Sequence, residues 1–486
     1  MLKKGLIFIL CASMVATFLC GCGKNGGNEQ NGKTLKWYAR INKQSTNDAV
    51  FKKASELTQE KLGVKLNIIP LEDYNTKISV INASGESYDI AYSSSTVNNY
   101  YQNIANGNFL ELDELLPKYA PKLYKSMDSE MWDGIRVNGK IYGVMNQQIF
   151  ARGPAMFIPA SNIAKLGINT EEYADYSLED YEKYLRLIKE KTGGYTYLPH
   201  VWTGGGYQMF GLELVLGSNL PGAIYYNEKK PTIINQYETK EYKEYIKLRE
   251  KWVKEGLTAP METSENDINQ FAGKADEIIP WLGFMPTYKP GVEQEQKQVY
   301  NVDISVTTKT QPLLTSYGLV ATMAVVNSET KNPEKSVEFL EYLNTDKEFY
   351  NLLVYGIEGV NYEKTGEDRI KLLDKVRYSQ PSWAIGNVFN SYFVGDQQND
   401  IWEKTREINK NAQKSPILGF AADVEDIKLE LTNCSAVQDE YLNMLDEGLA
   451  DVDTTYKAFI TKLKAAGVDK LIEKLNVQLE HWYKNR

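Results

Sequence analysis

Residues 35–70 read LKWYARINKQSTNDAVFKKASELTQEKLGVKLNIIP, which is the pattern of a strand, a helix and a second strand. Residues 35–39 form an apolar and aromatic run typical of a buried strand. Apolar residues then recur at helical spacing over 50–62, and Gly63 marks the end of that helix. Residues 64–70 alternate between apolar and polar and stop at a proline. This alternation predicts an α/β fold built on a mostly parallel sheet.

The same alternation continues further along the chain. A helix carrying Ile78, Val80 and Ile81 is predicted to end near Gly85, and a third strand covers 88–92. Ligands of such sheets lie beyond the carboxyl ends of the strands. The loops after the first and third strands are therefore the first candidates for a binding site. Residues 333–353 and 440–482 have strongly helical patterns.

The amino terminus has the features of an export signal. Lys3 and Lys4 precede an apolar run over 6–19, which ends in Leu19-Cys20-Gly21-Cys22. Those four residues resemble a bacterial lipobox, with Cys22 as the acylated residue. We expect a lipoprotein signal peptide over 1–21, a flexible tether over 22–32, and a palmitate-type lipid anchor on the extracytoplasmic face of the cell membrane. An ordinary secreted protein is the alternative.

Composition excludes several classes of function. Residues 1–21 contain two Lys and no acid, so cleavage moves the net charge from −9 to −11, which argues against nucleic acid as a partner. With two His in the chain and Cys434 as its one cysteine beyond residue 22, we expect no metal site and no cofactor. No G-x-S-x-G or H-E-x-x-H motif is present, so we expect no catalytic residues and no enzyme activity.

Longer motifs give a resemblance to a known family. The chain resembles extracellular solute-binding lipoproteins of ABC sugar importers (family 1 type), in the subfamily with a distinctive C-terminal domain of unknown function. Met145 stands where that family commonly has Pro. The segments that carry the resemblance are 88–91, 107–112, 138–144, 316–326, 332–335 and 339–340, and, more specifically, NLLVYGIEGVNY at 351–362 and SPILGF at 415–420.

The resemblance implies a two-lobe periplasmic-binding-protein-like fold of type II, with a cleft between the lobes and two or three hinge crossings. From this resemblance we divide the chain into an N-terminal lobe, 33–150 with 313–378, and a C-terminal lobe, 151–312 with 379–486. It also implies that the protein binds an oligosaccharide and delivers it to the permease subunits of an ABC transporter, as a monomer held to the membrane by its lipid.

Sugar rings offer CH faces to aromatic side chains and hydroxyl edges to amides and carboxylates. The chain has 33 Tyr and 8 Trp, so position must select among them. In related sugar binders, stacking aromatics occur near the positions of Trp281 and Trp383. Trp202 and Tyr207 lie in a Gly-rich loop region. Each of these tryptophans has core packing as its alternative role. The predicted polar partners are Tyr38, Arg40, Ser94, Ser95, Asn146, Gln147, Gln148 and Asn387. Asp89 is either a ligand-binding residue or a structural cap.

Two other functions stay open at this stage. A secreted glycoside hydrolase would release products from oligosaccharides. A binding protein for peptides or another solute would use Arg40 and Arg152 to clamp a carboxylate.

Overall fold

The computed structural model describes residues 33–174, 177–217, 219–259, 271, 274, 276–373 and 378–485. The predicted signal peptide, the tether and Cys22 lie outside these residues. Contacts join Lys33–Arg486 into one compact unit.

Strands and helices alternate through the first half of the chain, and helices dominate its end. The strands are β1 Thr34–Ala39, β2 Lys65–Pro70, β3 Ile90–Ser93, β4 Gly143–Met145, β5 Ala155–Pro159, β6 Leu212–Leu214, β7 Ala223–Tyr225, β8 Gly283–Met285, β9 Ile304–Lys309, β10 Leu313–Leu314, β11 Met323–Val326, β12 Tyr362–Lys364, β13 Arg369–Leu372, β14 Phe393–Val394 and β15 Gln413–Lys414. The helices are α1 Asn47–Leu62, α2 Tyr74–Ser84, α3 Tyr100–Ala105, α4 Leu115–Tyr119, α5 Pro121–Lys125, α6 Ser129–Gly134, α7 Ala160–Leu166, α8 Glu182–Thr192, α9 Lys240–Lys254, α10 Val292–Tyr300, α11 Ser316–Leu319, α12 Pro333–Thr345, α13 Lys347–Tyr355, α14 Ile401–Asn411, α15 Lys428–Asp446, α16 Val452–Ala465 and α17 Val468–Asn485.

The strand–helix–strand pattern at the start of the sequence is confirmed. β1 pairs in parallel with β2 and β3, within a five-stranded sheet of order β2-β1-β3-β11-β4. The helix α1 buries Val50, Ala54 and Thr58, which are one turn apart. Gly63 ends it with a φ of 72°, a left-handed conformation that favours glycine. β11 runs antiparallel to its neighbours β3 and β4. Because β11 comes long after β4 in the sequence, the chain returns to this sheet from a distant segment.

Asp89 is a structural residue. Its Oδ2 accepts a hydrogen bond from the backbone N–H of Lys36 at 2.7 Å. Its Oδ1 accepts from the Thr330 hydroxyl and from Nδ2 of Asn332 at 3.1 Å. The carboxylate therefore ties β1 to the turn after β11, as an acceptor for buried donors.

Two large hydrophobic clusters lie within the unit. The first takes residues from 35–150 and 314–394, together with Leu418. The second takes residues from 156–282 and 417–479, including α15, α16 and α17. The sequence division placed residues after 378 in the C-terminal lobe, but Ala384, Ile385 and Tyr392 pack in the first cluster. Backbone pairing holds that segment there, because Gln147 N–H donates to Gly386 O at 2.8 Å.

Three chain segments pass between the clusters side by side. Arg152 in the first segment pairs with Leu313 in the second, through N–O distances of 3.0 and 2.8 Å. The second segment pairs in parallel with the third, β10 with β15. Asn409 of α14 lies beneath the first segment, where its Oδ1 accepts from Phe150 and Ala151 N–H at 2.7 and 3.1 Å. These pairings place the residues of both clusters around one junction.

Candidate ligand-binding site

An aromatic and cationic surface lies at the carboxyl ends of β1 and β3. The Arg40 guanidinium lies 5.0 Å from the centre of the Trp383 ring and 5.2 Å from that of Tyr92. Its Nη1 also donates to the Tyr92 hydroxyl at 3.3 Å. Trp383 sits in a single 3₁₀ turn, Ser382–Ala384, and keeps 37% of its surface exposed. The arrangement presents a large ring beside a fixed positive charge.

A second arginine stacks on a tyrosine where the chain first leaves the first cluster. The Arg152 guanidinium lies 5.1 Å from the centre of the Tyr317 ring. Burial raises the pKa of Tyr92, and the charges of Arg40 and of Arg152 oppose that shift. The charges of both arginines therefore act on the phenol of Tyr92.

Gly217 lets the second half of the chain approach Tyr317 closely. A Cβ at Gly217 would lie 1.9 Å from Cε2 of that ring. Its φ of +66° is also a conformation that other residues rarely adopt. Glycine at this position therefore permits the close contact with Tyr317.

The Arg152 cavity, as we call it, has a volume of about 200 Å³ and takes its walls from both halves of the chain. Gly204 forms part of the wall, and a Cβ there would lie 2.2 Å from the carbonyl oxygen of His200, so only glycine fits this turn. The lining residues are Arg152, Thr203, Gly204, Gly205, Tyr207, Gln208, Glu213, Leu214, Asn219, Pro286, Thr315 and Tyr317.

Burial raises the pKa of two acidic groups in this cavity and holds the carboxyl of Glu213 protonated at neutral pH. Burial raises the pKa of Glu213 to about 8, and a hydrogen bond to Ser415 opposes that shift. Its Oε2 is buried and has no hydrogen-bond partner. Burial likewise raises the pKa of Tyr207 to about 12. At neutral pH the cavity thus offers a protonated carboxyl and a phenol, each able to donate or accept a hydrogen bond.

The loop that carries Thr203 is attached to the end of α15. Thr203 N–H donates to Oδ2 of Asp446 at 3.0 Å, and the Thr203 hydroxyl donates to the same oxygen. The Tyr245 hydroxyl donates to Oδ1 of Asp446. His200 Nε2 lies 3.2 Å from Oε1 of Glu447. Four contacts therefore fix one wall of the Arg152 cavity from the C-terminal helices.

The structure brings some of the predicted polar residues together and separates others. Gln148 joins the site, since its Nε2 donates to the Thr322 hydroxyl at 2.5 Å and to Trp383 O at 3.5 Å. Ser94 lies near Tyr92, but its hydroxyl accepts from the backbone N–H groups of Thr96 and Val97, which makes it a turn residue. Ser95 is buried and its N–H donates to Val320 O at 3.1 Å.

Three predicted amides lie along the junction. Gln147 donates to the Ser126 hydroxyl at 2.8 Å. Asn387 caps the short turn that follows it and donates to Asn344 O at 3.3 Å. The Gln147 amide group is therefore engaged by a side chain and that of Asn387 by backbone. The Nδ2 of Asn146 is buried without a hydrogen-bond partner.

Three predicted aromatic residues are packed instead of open. Trp202 is 1% exposed, and the rings of Phe210, Tyr242 and Tyr245 surround it. Trp281 is 8% exposed and packs edge-on against Phe157. Both rings are buried, which favours core packing, their alternative role, for Trp202 and Trp281. Tyr38 is also buried, and its hydroxyl donates to Glu86 at 2.7 Å, away from the Arg40 surface.

The sequence analysis missed Tyr92, Tyr317 and Glu213 as site residues. Tyr92 is the last residue but one of the strand after which a ligand loop was expected, so its position was a usable signal. Tyr317 and Glu213 give no comparable signal, because their place in the site depends on how distant segments pack. Among the described residues, no cluster of His, Cys, Asp and Glu is suited to a metal ion. None of the described helices is long and apolar enough to cross a membrane.

Comparison with known proteins supports the same fold. Residues 416–484 match a domain of unknown function (DUF3502). The N-glycan transport solute binding protein of Streptococcus pneumoniae superposes with a TM-score of 0.79 at 27% identity, covering 93% of this chain and 99% of that one. This chain has the two-lobe fold of a solute-binding protein. Structures of the same protein with Man1GlcNAc and Man5GlcNAc give TM-scores of 0.74 and 0.71 at 26% and 27% identity, each covering 93% of this chain and 100% and 99% of theirs.

Whole-chain relatives agree with this fold. A carbohydrate ABC transporter substrate-binding protein of Streptococcus pneumoniae is 29% identical over 491 residues, which cover 97% of this chain and 96% of its own. Lipoprotein LipO of Bacillus subtilis is 22% identical over 440 residues, covering 84% and 82%. The resemblance to extracellular solute-binding proteins of ABC sugar importers is therefore confirmed.

Proposed function

We propose that this protein is the lipid-anchored substrate-binding component of an ABC importer, and that it captures an oligosaccharide between two lobes. The observation that carries the proposal is the aromatic and cationic surface of Trp383, Arg40 and Tyr92, together with the Arg152–Tyr317 pair, at the junction of the two hydrophobic clusters. The similarity to a carbohydrate-binding protein over 97% of the chain supports it.

The chemistry of this surface suits a sugar. The exposed part of Trp383 offers an apolar face to the CH groups of a ring. Arg40, Arg152 and Gln148 carry N–H donors, and the neutral carboxyl of Glu213 both donates and accepts. A sugar hydroxyl also does both, so this donor and acceptor set requires no charge on the ligand.

The two clusters support a division into lobes. In our proposal, 33–150 with 313–411 form one lobe and 151–312 with 412–485 form the other. The three neighbouring segments at the junction then act as the hinge. The TM-score falls from 0.79, against the structure described without a glycan, to 0.71 against the complex with Man5GlcNAc. A change in lobe angle on glycan binding would produce that order.

A glycoside hydrolase is a poorer account of the same site. Hydrolysis of a glycosidic bond uses a pair of carboxyl groups about 5–10 Å apart. Among the described residues that line the Arg152 cavity, Glu213 is the one acid. The protein is thus proposed to bind its glycan without cleaving it.

The remaining parts of the proposal concern location and partners. Signal residues 1–21, the lipidated Cys22 and the tether over 22–32 would hold the protein on the extracytoplasmic face of the membrane, as a monomer beside its permease. The similarity to a lipoprotein supports the anchor. Cys22→Ala should release the protein from the membrane fraction, with a Cys434→Ala variant as the control that stays bound. Membrane retention of Cys22→Ala would refute this anchor.

Calorimetry on the purified protein tests the binding function. We expect Man1GlcNAc (the short glycan) and Man5GlcNAc (the long glycan) to bind, and we expect neither to be shortened during prolonged incubation. If neither glycan binds, the proposal that the protein binds N-glycan fragments of this kind is wrong. Steady release of products would favour a hydrolase, and binding that requires a ligand carboxylate would favour a peptide or acidic solute.

A further inference from the structure

A second cavity adjoins the Arg152 cavity. The α15 cavity, as we call it, has a volume of about 470 Å³ and shares Thr203 and Asn219 with its neighbour. Its other walls include Ser435, Asp439 and Asn443, which come from α15. Since α15 lies wholly within 416–484, the domain of unknown function supplies most of this cavity.

The spacing of the α15 residues makes one polar strip. Ser435, Asp439 and Asn443 are four residues apart, so they lie above one another on a single helix face. Among the described residues, the side chains of Asp439 and Asn443 have no hydrogen bond or ion pair, and both residues are exposed. Leu442 lies beside them, 6% exposed, and adds an apolar side chain to the cavity wall. A hydroxyl-rich ring with a CH face matches this combination of groups.

The wall between the two cavities is held rigidly. The Nε2 of Gln438, a residue 4% exposed, donates to Asn219 O and to the Tyr237 hydroxyl. Thr203 is fixed by the Asp446 carboxylate at the end of the same helix. Both shared residues are therefore positioned by α15, and the two cavities adjoin at them.

We propose that the C-terminal domain of unknown function forms a further sugar subsite, so that a glycan held in the Arg152 cavity continues along α15. This inference rests on the proposed function, since it assigns the far end of the same oligosaccharide. It gives the domain a direct part in selecting glycan length: a short glycan would fill the Arg152 cavity alone, and a longer one would reach Asp439 and Asn443.

A plug in the α15 cavity tests the proposal. Ser435→Trp fills the cavity from its helix wall, and Asn433→Trp is the matched control, since it lies about 200° round the helix on an exposed position. In wild type we expect the long glycan to bind about tenfold more tightly than the short one. In Ser435→Trp we expect that advantage to disappear while short-glycan affinity is unchanged, and in Asn433→Trp we expect it to persist.

A second variant guards against a folding defect in the first. Asp439→Ala removes an exposed side chain and should weaken the long glycan about threefold to tenfold without affecting the short one. Equal binding of both glycans by wild type, or full retention of the long-glycan advantage in Ser435→Trp and Asp439→Ala, overturns the subsite and leaves the binding function standing. Failure of wild type to bind either glycan overturns the proposed ligand class instead.

Discussion

Trp383 is the residue whose removal should cost the most glycan affinity per atom lost. It keeps 37% of its surface open while Arg40 holds its ring in place. Burying about 50–100 Å² of that face under a sugar is worth about 1–3 kcal/mol. Trp383→Ala should therefore weaken Man5GlcNAc binding about 5- to 150-fold by calorimetry.

A matched control for Trp383→Ala comes from a tryptophan outside the site. Trp482→Ala lies in the last helix, against Phe420, and should leave the affinity for Man5GlcNAc unchanged. Wild-type affinity in Trp383→Ala would show that its ring only packs. Trp281→Ala should instead lower the free energy of unfolding by about 3–5 kcal/mol, because its ring is buried.

Glu213 should make the stability depend on pH. Its pKa in the fold, about 8, lies above the ordinary 4.5, so the protonated form is favoured by folding. Its contribution is complete below about pH 4.5 and is lost as the pH rises through about 8. The free energy of unfolding should fall over that range by at most about 1.4 kcal/mol per pH unit from this group.

The variant Glu213→Gln separates the contribution of Glu213 to the pH dependence of stability from the contributions of other titrating residues. The amide keeps the shape of the carboxyl and does not ionise. The free energy of unfolding of the variant should therefore rise relative to that of wild type between about pH 5 and about pH 9. Urea unfolding of both proteins across this range gives the difference. Parallel stability curves would contradict a raised pKa at Glu213.

The tryptophans show what the sequence leaves undecided at the residue scale. Trp202, Trp281 and Trp383 all lie in irregular segments, and all three were predicted to bind the ligand, with core packing as the alternative. The three tryptophans differ in burial, and burial depends on which rings from distant parts of the sequence pack against them. Tyr242 and Tyr245 cover Trp202 from a helix about forty residues further along the chain. The sequence around Trp202 does not predict that contact.

At the scale of elements, α14 should control the first hinge segment. Asn409 accepts from Phe150 and Ala151 N–H and donates to Gln148 O at 2.7 Å. Asn409→Ala leaves two buried donors and one acceptor unpaired, at about 1–3 kcal/mol each. We expect the free energy of unfolding, measured in urea, to fall by several kcal/mol.

Asn409→Asp is the informative partner of that variant. Its carboxylate keeps both acceptor contacts to Phe150 and Ala151 and loses one donation, so it should restore part of the lost stability. Equal losses in the two variants would mean that the contacts of Asn409 with the hinge segment contribute little.

The sequence predicted the helices and strands that have strong hydrophobic periodicity. It predicted less well which lobe each element belongs to. The alternation of 35–70 and the helical C-terminus follow from side-chain spacing and are confirmed. Residues 379–394 contain short turns without periodicity, and their place was inferred from order along the chain. Backbone pairing of Gln147 with Gly386 and Val388 holds them in the first cluster, which is a contact between distant segments.

At the scale of the whole molecule, the three segments at the junction are the only route by which the described clusters are covalently linked. Each segment is short, and the pairings of Arg152 with Leu313 and of β10 with β15 keep the three in register. Such a junction lets two packed bodies rotate while their interiors stay intact. The proposed glycan surface lies beside it, and in our proposal closure brings Tyr207 and Trp383 toward one ligand.

Glycan binding should therefore make the molecule more compact. A single compact body of about 450 residues has a radius of gyration of about 22 Å, and an open two-lobe form exceeds that value. Small-angle scattering of the protein lacking residues 1–21 should show the radius falling toward the compact value when Man5GlcNAc is added. Trp383→Ala at the same glycan concentration should show a smaller change, because fewer molecules are occupied. An unchanged radius in wild type saturated with glycan would mean that the glycan binds to lobes already closed, and the hinge would then have no part in capture.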